Sequence, residues 1–144
     1  MSNSGRCRNN LRMRDRMFED IHDMDPLVKP ICILLTENGY PTISSCQGHP
    51  YDGTITFLYD KIPEWADYLM SNMVKFCKEN ELCMGCVRFR VEYHMYSDCS
   101  HALSKDWLIR LQLRWDYDIN DATKDNELVW KETYRILQEF FANT

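Results

Sequence analysis

The chain is predicted to fold as an α+β domain of two layers, with a four-stranded mixed sheet and three helices in the order α-β-β-α-β-β-α. Three patterns predict it. Apolar residues recur at helical spacing in three stretches, around Ile31–Leu35, Trp65–Phe76 and Val129–Phe141. Residues 87–94 and 107–115 alternate apolar and polar, as half-buried strands do. Two short β-prone runs, 42–46 and 54–59, flank a loop containing Gly48, Pro50 and Gly53.

In chain order, Asp25-Pro26 reads as a helix start, an acceptor at the cap followed by proline in the first turn. Pro30 would strain so early a helix, which places the regular part nearer Pro30. Asn38-Gly39 is a left-handed stop. The first hairpin follows, with a seven-residue loop from Gln47 to Gly53. Pro63 and Glu64 open the second helix, whose buried face carries Trp65, Leu69, Met73 and Phe76. Two long strands then pair through a polar loop at 96–105, and their apolar residues Phe89, Val91, Trp107, Ile109, Leu111 and Trp115 are expected to lie under helices. Past Asn120 and Asp121, the last helix buries Val129, Thr133, Ile136, Leu137, Phe140 and Phe141.

Composition bounds the class. The 144 residues are 44% hydrophobic and 27% charged, enough for one core and incompatible with wholesale disorder. The longest uninterrupted aliphatic run spans Ile31–Leu35 with Cys32 inside it, far below the roughly 20 residues of a membrane span. No apolar stretch follows the N-terminal arginines, so a cytoplasmic protein without a secretory signal and without membrane contact is expected. Seven cysteines, an odd number, then read as reduced thiols, with Cys32 and Cys77 as small core residues.

The net charge of −5 is unevenly spread. Residues 1–16 hold five arginines against Asp15, whereas the other 128 residues carry 12 basic and 21 acidic side chains. We read residues 1–24 as a basic arm and 25–144 as the single domain. The arm is a solvated tail, a contact for RNA, or a segment lying on its own acidic body.

Four further arginines, Arg88, Arg90, Arg110 and Arg114, fall on the polar face of the two long strands. Like charges on neighbouring strands repel, and guanidinium groups bind phosphate in a bidentate fashion, so an anionic ligand is one reading. A solvated face paired to Glu92, Asp116 and Asp118 is the other. Ser44, Ser45, Cys46, Gln47, Gly48 and His49 form a second polar group around a glycine. If the chain crosses over between the strands at 54–59 and 87–94, those strands are parallel. Arg88 and Arg114 then lie nearest the Ser44–His49 segment, with Arg90 and Arg110 further down. The result is a pocket with a Ser/Cys/Gln/His rim and an arginine floor, suited to a phosphorylated, nucleotide-like small molecule. Cys46-x-x-His49 and Cys83-x-x-Cys86 together have the composition of a Cys₃His zinc set. They sit on separate elements, however, and Cys83–Cys86 reads equally as a turn, so no metal, cofactor or catalytic residue is assigned.

The segment Gly39-Tyr40-Pro41-Thr42-Ile43-Ser44-Ser45-Cys46-Gln47-Gly48-His49, with Gly53-Thr54-Ile55-Thr56-Phe57 behind it, resembles a G-Y-x-T-x-x-S-C-x-G-H segment of small phage and bacterial proteins. Its core, Thr42 to Gly48, is also similar to the T-x-S-S-C-S-G-R motif of the wybutosine-synthesis methyltransferase family, which uses S-adenosylmethionine on a tRNA guanosine derivative. It departs from that motif at Gln47, where the family has Ser, and at His49, where it has Arg. The first likeness implies, by analogy, a protein that sequesters a nucleotide immune signal. The second implies kinship of fold and leaves a nucleotide- or RNA-modifying enzyme as the alternative, with Cys46 and His49 as nucleophile and base. Against an enzyme, no G-x-G-x-x-G or P-loop pattern is present. A third alternative is an inhibitor that binds protein through its acidic surface, with Trp130 and Tyr134 on the last helix as a surface for a partner or for a homodimer.

Overall fold

In the computed structural model, which describes residues 24–48, 52–82, 84–97, 103–115 and 122–144, Asp25-Pro26 opens a turn rather than a helix. The Asp25 carbonyl accepts the N–H groups of Val28 and Lys29, and helix α1 then runs Lys29–Glu37. Pro30 fits because its missing N–H falls in the first turn, where helical donors have no intrahelical acceptor. The helix ends at Asn38, whose side-chain amide donates to the Leu34 carbonyl at 2.8 Å, and Gly39 follows with φ +94°.

Strands β1 (Thr42–Cys46) and β2 (Asp52–Leu58) form the first hairpin. β2 starts two residues earlier than its β-prone run suggests, which shortens the connection to Gln47–Tyr51. A bulge between Thr42 and Ser44 shifts the register, and the Leu58 N–H reaches the Pro41 carbonyl beyond it. Helix α2 (Trp65–Glu79) buries Trp65, Ala66, Leu69 and Met73. Strands β3 (Met84–Ser97) and β4 (Leu103–Trp115) are longer than the alternation at 87–94 and 107–115 predicts, and helix α3 (Ala122–Ala142) closes the described chain.

The expected α+β class, four strands and three helices are present, but the sheet is antiparallel throughout rather than mixed. Its strand order is β1-β2-β4-β3. β2 and β3 do run in the same direction, as a crossover requires. However, β4 lies between them and pairs antiparallel with both, so no parallel ladder forms.

All three helices bury their apolar residues in one cluster against one face of the sheet. Ile55, Phe57, Ile109, Leu111 and Leu113 meet Ile31, Leu35, Trp65, Leu69, Met73, Val129, Trp130, Ile136 and Leu137. Cys32 is fully buried among them, and Cys77 and Met24 are partly buried against the same cluster. At one end, Tyr40 meets Phe57 and Trp65 edge-on at 5.9 and 5.6 Å, and Trp65 meets Phe89 at 5.5 Å. Edge-to-face geometry of this kind adds to what area burial alone supplies.

Two expectations about this face are corrected. Trp130 is fully buried and offers no surface to a partner, whereas Tyr134 is partly buried against the core. Conversely, the helices do not reach the outer part of the long hairpin, and Val91 and Trp107 stay 40% and 44% exposed. Trp115's side chain and the five arm arginines lie outside the described residues.

Candidate functional site

On the face opposite the helices, the pairing register lines residues up in rows across the sheet. Cys46, Thr54, Gln112 and Arg88 form one row, and Ser44, Thr56, Arg110 and Arg90 the next. Arg114 sits one step before the first row, opposite Asp52 on β2. Leu58, Leu108 and Glu92 form the row beyond the second. Strands about 4.8 Å apart and a two-residue repeat of about 6.8 Å along each place all four arginines on one small field.

The strand β1 end of the polar segment divides between faces. Ser44 and Cys46 share the arginine face, whereas Ser45 pairs with Ile55 and takes the helix side. Gln47 is committed to structure. Its backbone N–H donates to Asp25 Oδ2 at 3.0 Å, and its side-chain Oε1 accepts the Leu27 N–H at 3.0 Å. Its carbonyl accepts both Asn126 Nδ2 and the Trp130 indole N–H at 2.8 Å. Gly48 is buried with φ +100°. Gly53 lies flat against the Trp130 ring, since a Cβ there would come 2.4 Å from Trp130 Cζ2. Gln47 and Gly53 therefore fasten the turn before α1, the first hairpin and α3 together. His49 and Cys83 lie outside the described residues, as do Asp116 and Asp118. No group of three or more metal-ligating side chains occurs among the described residues. Burial, followed by the charge of Asp125, raises the Cys77 thiol above its ordinary value.

Among the described residues, three of the arginines have the following partners. Arg88 Nε donates to the neutral amide of Gln112 at 2.9 Å. Arg90 and Arg110 stand directly opposite each other and share one carboxylate, Glu92, at 3.9 and 3.3 Å. His94 approaches the same carboxylate at 3.6 Å. Arg110 Nε is buried without a hydrogen-bond partner, and so is Oγ1 of Thr56, its neighbour across the β2–β4 ladder. Thr56 is 1% exposed. Two adjacent buried groups without hydrogen-bond partners therefore stand beside the opposed arginines, and leaving such groups unsatisfied is costly.

Thr54, Thr56 and Gln112 were not among the residues singled out from the sequence for this site, whereas Glu92 was, as a partner of the arginines, and it does contact Arg90 and Arg110. The alternation of Thr54 and Thr56 with Ile55 and Phe57 is legible in the sequence, but the place of Thr54 beside Gln112 and of Thr56 beside Arg110 follows only from the strand order.

The chain matches no protein-family model, and comparison with curated proteins returns no match. No described helix is long and apolar enough to cross a membrane.

Proposed function

We propose that the protein binds a phosphate-bearing, nucleotide-like small molecule on the arginine face of its sheet and holds it without turnover. The observation that carries this reading is the pair of unsatisfied donors, Arg110 Nε and Thr56 Oγ1, set beside two opposed arginines that share one carboxylate. A phosphate oxygen accepts from both donors and offsets the Arg90–Arg110 repulsion in the same step. The resemblance of Gly39–His49 to phage segments supports a sequestering role for a nucleotide signal.

The test begins with mass spectrometry of small molecules released by heating the purified protein. A phosphorylated compound recovered intact is expected, and a chemically altered one would transfer the site to the enzyme reading. Titration calorimetry with that compound should show at least a tenfold weaker affinity in Arg110→Ala and in Thr56→Val. Unchanged affinity in both variants refutes the arginine-face site. Arg110→Ala still folds on this reading, since Glu92 keeps Arg90 and His94 as neighbours.

A further inference from the structure

β3 is an outer strand of the sheet, and among the described residues no strand pairs with its free edge. It runs for 14 residues without proline, and its one register irregularity lies at the start, between Met84 and Cys86. A long, regular edge presents unpaired backbone N–H and C=O groups and is a ready template for another strand. Its apolar side chains are also uncovered where the helices stop, with Val91 at 40%, Tyr93 at 44% and Met95 at 60% exposure.

We propose that this edge pairs with the same edge of a second copy, antiparallel and centred on Val91, to make a two-fold dimer with one continuous eight-stranded sheet. The charge pattern selects both the occupant and the register. In such a pair, opposing residues share a face, so the two-fold axis must pass through a residue and the choices are few. Centred on Val91, each Arg90 faces the partner's Glu92. Phe89 then faces the partner's Tyr93, and Val87 faces the partner's Met95. The ladder extends from Gly85 to Ser97. Centring on Arg90 opposes arginine to arginine, and centring on Glu92 opposes two carboxylates. Centring on Phe89 sets Arg88 against Arg90 twice, and centring on Tyr93 shortens the ladder and leaves Arg90 opposite the partner's Tyr96. Like charges directly opposite each other destabilise a sheet pair, whereas opposite charges and apolar pairs stabilise it. Only the Val91 centre matches both Arg90–Glu92 pairs while keeping every exposed apolar residue against another. This proposal is independent of the ligand reading, although it brings the two arginine faces side by side on one surface.

Sedimentation of the full chain tests it. Wild type should sediment as a dimer of 17.2 kDa chains. Glu92→Arg, which opposes arginines twice, should weaken association at least tenfold, and the swap Arg90→Glu/Glu92→Arg should restore it. Independently of charge, Val91→Cys should form an intermolecular disulfide on mild oxidation, because the residue on the two-fold axis is the one that meets its own copy. A monomeric wild type at 100 μM overturns the proposal. So does a Glu92→Arg dimer of unchanged affinity, or cross-linking of Tyr93→Cys in preference to Val91→Cys.

Discussion

Replacing Gly53 with alanine places a methyl carbon 2.4 Å from Cζ2 and 3.0 Å from Cε2 of Trp130, and 3.1 Å from the Gln47 carbonyl oxygen. Neither neighbour is free to yield. Trp130 is fully buried, and its indole N–H is held by the same Gln47 carbonyl at 2.8 Å. Forcing extra volume into a packed site costs about 1–3 kcal/mol. If the ring swings away, its buried N–H loses its acceptor, which adds about 1–3 kcal/mol. The gain from restricting the unfolded chain returns only about 0.4–1 kcal/mol. The net expectation is a loss of about 3 kcal/mol, which at a urea slope of about 2 kcal/mol/M moves the unfolding midpoint down by about 1.5 M. Equilibrium urea unfolding followed by tryptophan fluorescence reads this directly. Trp130→Phe, which removes the colliding ring atoms and leaves Gln47 its Asn126 donor, should relieve most of the Gly53→Ala penalty in the double mutant. A midpoint shift under 0.3 M, or strict additivity of the two substitutions, refutes the close-packing account of this segment.

Thr56→Val should raise the stability of the ligand-free protein by about 1 kcal/mol, because it removes a buried hydroxyl without a partner at nearly constant shape. Thermal unfolding checks this, and a destabilised variant shows that the hydroxyl is satisfied. The Tyr68 hydroxyl donates to Glu139, a bond that raises the tyrosine above its ordinary 10.0 and, with Arg135, lowers the carboxylate below its ordinary 4.5. A lowered carboxylate stabilises above 4.5 and loses that contribution as pH falls through its folded value. A raised tyrosine stabilises below 10.0 and loses it as pH rises through its own. The stability difference between wild type and Tyr68→Phe should therefore be flat across neutral pH and shrink at both extremes. A difference independent of pH from 3 to 11 contradicts the bond.

Much of the fold is legible along the chain because the signals are local. Alternation at 87–94 and 107–115, helical spacing around Trp65 and Val129, and the Asn38-Gly39 stop each depend on residues within a turn or a strand of one another. The errors share a physical cause. Asp25 looked like a helix cap, yet its carboxylate goes to the N–H of Gln47, a residue far along the chain. Trp130 looked available to a partner because nothing local shows that Gly53 leaves room for its ring.

The sequence by itself determined the α+β class, the helix and strand periods, and the gathering of four arginines on one face of two strands. Backbone sterics and the burial of apolar side chains act at short range, so their pattern is written in neighbouring residues. Only the tertiary structure decided that β4 enters between β2 and β3, which makes the sheet antiparallel and sets Thr56 beside Arg110. It also decided that Gln47 and Gly53 serve as fastenings. These outcomes depend on which distant strands pair and which surfaces meet, and one residue's hydrogen-bonding capacity is spent by partners that sequence spacing does not reveal.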